Sequence, residues 1–70
     1  MCQVFLYTDP SFDHEVCSMA MPVPPRPGEF VRVRMTIDDE WEMYRVLSLT
    51  TEILRTGPYP TKYRAVVEKV

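Results

Sequence analysis

Four prolines fall within six positions, Pro22, Pro24, Pro25 and Pro27 of PVPPRP, and they constrain the chain more firmly than any other feature. Each lacks an amide hydrogen and pushes the residue before it away from helical geometry. Residues 22–27 therefore sit neither in a helix nor inside a sheet, and must run extended as an edge or crossover. Pro27 and Gly28 then make a natural turn, because proline presets φ and glycine accepts positive φ at no steric cost. Whatever folds must do so on either side of this stiff piece, and the segment's first role is architectural. Its polyproline surface is a second thing it offers, to an aromatic groove on another protein.

The flanking stretches read as strands. After the turn, Phe30 to Met35 alternates strictly, with Val31, Val33 and Met35 on one face and Arg32 and Arg34 on the other. Before it, Gln3 to Tyr7 is β-branched and aromatic and ends at Asp9-Pro10, while Glu15 to Met21 places Cys17, Met19 and Met21 at alternate positions. Asp38, Asp39 and Glu40 supply a polar hairpin turn into WEMYRVLSLTTEIL. In that run the apolar set changes phase, since Tyr44 and Val46 share one face of an extended chain and Leu47, Leu49 and Ile53 the other. A bent strand or β-bulge resolves this, and so does a helix from Arg45 to Leu54; the Val, Thr and Ile content favours the strand. RTGPYPTK, residues 55–62, reads as a loop, and Tyr63 to Val70 as a last strand with Tyr63, Ala65 and Val67 inward.

Five short strands would leave wet edges if laid flat, so the expected architecture is all-β, a small five-stranded antiparallel and partly closed barrel. Seventy residues form a single domain, 1–70, able to bury only about 60% of the surface its unfolded chain exposes. The succession PRPGE, FVRV, a polar hairpin with an aromatic, YRVLSL and YRAVVEKV resembles small SH3-like barrels, and especially short β-proteins encoded by bacteria and their phages. The resemblance spans Pro22 to Val70. The chain lacks the second glycine-rich basic loop of KOW-type ribosomal barrels, so the resemblance does not carry RNA binding with it.

Chemistry is sparse. There is no GxGxxG, Walker loop, HExxH or GxSxG, and two glycines cannot make a phosphate cradle, so neither a cofactor nor an enzyme is expected. His14 and Cys17 stand three apart and would point to opposite faces of a strand. Asp38, Asp39, Glu40 and Glu42 lack the ordered spacing of a cation loop, and no metal is expected. Cys2 and Cys17, the only cysteines, read as reduced thiols, unless neighbouring strands bring their Cα atoms within about 7 Å for a disulfide. No apolar stretch approaches the roughly 18 residues of a spanning helix and no signal-peptide pattern follows Met1, so the expectation is a cytoplasmic protein without a membrane partner.

Two surfaces remain as candidates. The loop aromatics Trp41, Tyr59 and Phe12 either cover the core or anchor a partner. Arg32, Arg34, Arg45 and Arg64, on adjacent outward faces, would suit single-stranded nucleic acid, although the net charge of −2 disfavours it and pairing with Glu42, Glu52 and Glu68 would use the arginines up. The leading expectation is a non-enzymatic accessory protein-interaction domain, working through strand edges or loops on another protein or on a second copy. The alternative is a nucleic-acid-binding barrel with an arginine face.

Overall fold

The structure, a computed structural model, describes residues 2–53 and 62–70. Its strands are β1 (Cys2–Tyr7), β2 (Glu15–Met21), β3 (Phe30–Val33), β4 (Glu42–Glu52) and β5 (Lys62–Lys69), with no helix among the described residues. They form one curled sheet, a half-barrel, in the order β2-β1-β5-β4-β3. Three pairings are antiparallel, but β1 and β5 run parallel, so the sheet is mixed and not antiparallel throughout. The reason is parity. Five strands laid up and down have their first and last members pointing the same way, and here those two pair. The opening of the barrel consequently falls between β2 and β3, where the proline segment makes the connection.

That connection is built as its composition requires. Pro25 is buried and Pro24 half-buried, beside Met21, Phe30 and Val31. The amide of Glu29 donates to the carbonyl of Arg26 at 3.1 Å across Pro27-Gly28, and Gly28 takes φ 92°, the left-handed value that a type II turn needs. Gly28 N–H then donates to the Val46 carbonyl and Val46 N–H to that of Glu29, both at 2.8 Å. Two residues of one strand thus oppose one of the other, a glycine bulge that launches β3 alongside β4.

The core lies inside the curl. Val4 and Leu6 of β1, Tyr44 and Val46 of β4, and Ala65 and Val67 of β5 are buried, flanked by Cys17, Met19 and Met21 of β2 and Val31 and Val33 of β3. The phase change in β4 is resolved by a bulge between Val46 and Ser48 and not by a helix. Val46 opposes Val67 and Leu49 opposes Ala65, so the extra residue Leu47 is spent outward and Leu49 returns to the core side. Ile53, expected on a common face with Leu49, is 70% exposed. β3 is shorter than its alternation suggests, since Arg34 and Met35 lie beyond its end. Tyr7 and Val66 are buried on the opposite face of the sheet, so this second face has its own small cluster.

The cysteines are free. Cys2 and Cys17 do lie on neighbouring strands, but Cys2 pairs with Met21 and Cys17 with Leu6. Four residues of offset along a strand is roughly 13 Å, beyond disulfide reach.

Candidate functional site

β2 and β3 are the two edges of the sheet, and they face one another across the opening. No Cα of one comes within 8 Å of the other. The groove between them is lined by Cys17, Ser18 and Met19 on one side and by residues 32–35 with Trp41 on the other. Along β3 the ladder alternates. Because Gly28 and Glu29 bond to Val46, the backbone groups of Val31 and Val33 aim at β4, and those of Phe30 and Arg32 aim at the free edge. The site therefore begins with unspent backbone hydrogen-bonding capacity beside an apolar floor.

Trp41 marks the end of this groove. Its ring is 50% exposed, and two guanidinium groups stack on it, Arg32 at 4.9 Å and Arg34 at 4.4 Å from the centroid. Arg32 points outward from β3 and Arg34 lies just past its end, and Trp41 returns beside both as β4 begins. Neither arginine has an ion-pair partner among the described residues, whereas Arg45 pairs with Glu68, Arg64 with Glu52 and Lys69 with Glu42. Arg32 and Arg34 are held by the indole instead, with their hydrogen-bonding edges available.

Below Trp41 the open end of the barrel is rimmed by Val16, Val33, Met35, Glu42, Lys69 and Val70. The Tyr44 hydroxyl donates to Glu42 at 2.8 Å and Lys69 Nζ donates to the same carboxylate at 3.3 Å. These bonds hold the Glu42 carboxyl below its ordinary range, the tyrosine contributing most, and the same carboxylate pushes the Tyr44 hydroxyl up. Asp39 accepts from the amide of Thr36 at 3.1 Å, closing the turn between β3 and β4. The acidic residues 38–40 thus form the hairpin tip, and no group of metal-binding side chains occurs among the described residues.

The structure divides the four arginines. Arg32 and Arg34 share Trp41, while Arg45 lies outward on β4 against Glu68. Arg64 opposes Thr50, five residues along β4 from Arg45, which separates them by roughly 15 Å. Its guanidinium lies within 5.6 Å of the ring centroids of Phe5, Tyr7 and Phe12, and it donates to the Tyr7 hydroxyl and, at 2.6 Å, to Glu52. The Glu52 bond is the main cause of the raised pKa of Arg64.

The loop aromatics divide too. Phe12 packs on Tyr7 with ring centroids 5.0 Å apart, and so covers the second face. Tyr59 lies outside the described residues. His14 Nδ1 is 3.4 Å from an Asp9 oxygen in the loop between β1 and β2, whereas Cys17 sits on the core face of β2, where burial pushes its thiol pKa up. Sequence reasoning singled out Trp41 and the arginines but not the β2–β3 groove with Met19 and Met35, because which strands become edges is a property of pairing order. No family model matches the chain, and comparison with curated proteins and with solved structures found no match.

Proposed function

We propose that this is a non-enzymatic protein-interaction domain that takes up an extended segment of another protein along the free edge of β3, in the opening that β2 borders. One observation carries the reading: two strand edges, unpaired among the described residues, face each other across an apolar groove, with the backbone groups of Phe30 and Arg32 aimed into it. The separation supports it as well. No Cα of β2 lies within 8 Å of one of β3, well beyond the roughly 4.8 Å of paired strands, so the two edges do not pair with each other. A cytoplasmic setting fits two free cysteines. Kinship with SH3-like barrels of bacteria and phages belongs to the same proposal, supported by the five short strands, the curl and the Pro-Gly turn before β3.

Nucleic acid is the weaker reading. Its four-arginine face is interrupted, because Arg45 and Arg64 are paired to carboxylates, and Trp41 borders Asp39, Glu40 and Glu42 in the open end of the barrel. Two guanidiniums on one ring are too few to track a phosphate backbone across the sheet.

Amide NMR with peptides of about eight alternating apolar and polar residues tests the proposal. Binding is expected to move Arg32 and the residues of β2. Arg32→Pro removes the free-edge donor without touching the ladder to β4, so it should abolish binding that Arg32→Ala retains. Equal binding by the two variants, or shifts confined to other strands, would overturn edge recognition. Turnover of any substrate that depends on His14 or Cys17 would overturn the non-enzymatic reading.

A further inference from the structure

We infer that the segment taken up by the β2–β3 opening is an acidic β-strand, with apolar residues at alternate positions facing the groove floor and carboxylates between them facing Arg32 and Arg34. This rests on the edge-binding reading above and adds the chemistry of the partner.

The alternation follows from the fold. A strand added between two strands of a curled sheet has one face over the core and one outside. On the inner side it meets Met19, Val33 and Met35, the last 70% exposed, which form a flexible apolar floor suited to varied side chains. On the outer side it meets Ser18 and Ala20 of β2, small and neutral, Arg32 of β3, and Arg34 just past the end of β3. Both guanidiniums stack on the Trp41 ring and line the same groove, so they are presented together to an added strand. Each can then sit beside one carboxylate, in the lateral relation that favours opposite charges across paired strands.

The other basic side chains on this part of the sheet are already matched: Arg45 with Glu68 and Lys69 with Glu42. Arg32 and Arg34 are prepared differently. Stacking on Trp41 fixes both guanidiniums while leaving their donors unspent, which lowers the entropy lost when carboxylates arrive. A second copy pairing through β3 would bring Arg32 and Arg34 of both copies to one seam, so a self-complementary β3 edge is unfavourable.

Trp41 is the only tryptophan in the chain, so its emission reports on the site directly. The test titrates the protein at low salt with an alternating valine–glutamate heptapeptide, with its valine–lysine counterpart, and with an oligothymidylate of similar length. The glutamate peptide is expected to bind about ten-fold more tightly than the lysine peptide, with the gap narrowing as salt is added. In the double variant Arg32→Glu, Arg34→Glu the preference should reverse, provided its near-ultraviolet circular dichroism matches the parent. Equal affinity of the parent protein for both peptides would overturn the acidic assignment and leave edge recognition standing. Binding by neither peptide would overturn both, and a response to the oligonucleotide alone would replace them with the nucleic-acid reading.

Discussion

Asp9 shows how one side chain can organise a loop that in turn covers a sheet face. Its carboxylate accepts from the Ser11 hydroxyl and from the amides of Asp13 and His14, the latter at 2.8 Å. The Ser11 bond, then the two amides and His14, hold its pKa near 2, down from 3.8. The chain between these anchors turns through Phe12, whose φ of 62° is unusual for a bulky residue, and delivers that ring onto Tyr7 and Arg64. A carboxyl whose folded pKa is depressed contributes stability above its unfolded value, and that contribution is lost as pH falls through the folded one. Between about pH 4 and pH 2, therefore, the amides of Asp13 and His14 should lose protection, and the Phe12 ring resonances should move with them. Asp9→Asn should show the loosened loop already at neutral pH. A loop unchanged at pH 2, read by NMR titration, would show that Phe12 is held from the sheet side alone.

At the scale of elements, β4 carries the instructive irregularity. Its bulge turns Leu47 outward, 45% exposed, between Val46 at 1% and the half-buried Leu49. Residues of similar chemistry should therefore differ sharply: Val46→Ala is expected to cost about 2 kcal/mol and Leu47→Ala less than about 0.5 kcal/mol, measured by urea unfolding. Equal costs would mean that the bulge lies elsewhere. The phase change itself was legible from residues 44–53 alone, because Tyr44 and Val46 fall out of step with Leu47 and Leu49; the surrounding sheet formers favoured a bent or bulged strand over a helix without choosing between the two. The extended proline crossing and the Pro27-Gly28 turn were legible for the same kind of reason, being dictated by local sterics. What local pattern could not supply was pairing order. Nothing in CQVFLY or KYRAVVEK specifies that these two lie side by side and parallel, so the mixed sheet and the β2–β3 opening were hidden. The site was half legible in consequence: Trp41, Arg32 and Arg34 announce themselves as residue types, but the edge they stand on does not.

For the molecule as a whole, the placement of the opening decides which parts are firm. Among the described residues β1, β5 and β4 are paired on both sides, while β2 and β3 have one partner each. The strands that begin and end the described sheet, β1 and β5, meet at its centre, so the pairing Gln3 with Lys62 spans nearly the full chain. Contacts of such sequence separation cannot reward the chain until most of it has been gathered, which favours slow, cooperative folding on the millisecond-to-second scale common to non-local β topologies. Once formed, the sheet should exchange its amide hydrogens in a pattern set by the opening. Protection is expected to be greatest on β1 and β5. Along β3 it should alternate, with Val31 and Val33 protected by their bonds to β4 and Phe30 and Arg32 exchanging quickly at the free edge. Native-state hydrogen exchange measures this residue by residue. If Arg32 were as well protected as Val33 in the monomer, its edge would already be closed, and the opening could not admit a partner strand. If addition of the glutamate peptide slows Phe30 and Arg32 selectively while Val31 and Val33 stay as they were, the new hydrogen bonds have formed on the edge that the fold leaves unpaired.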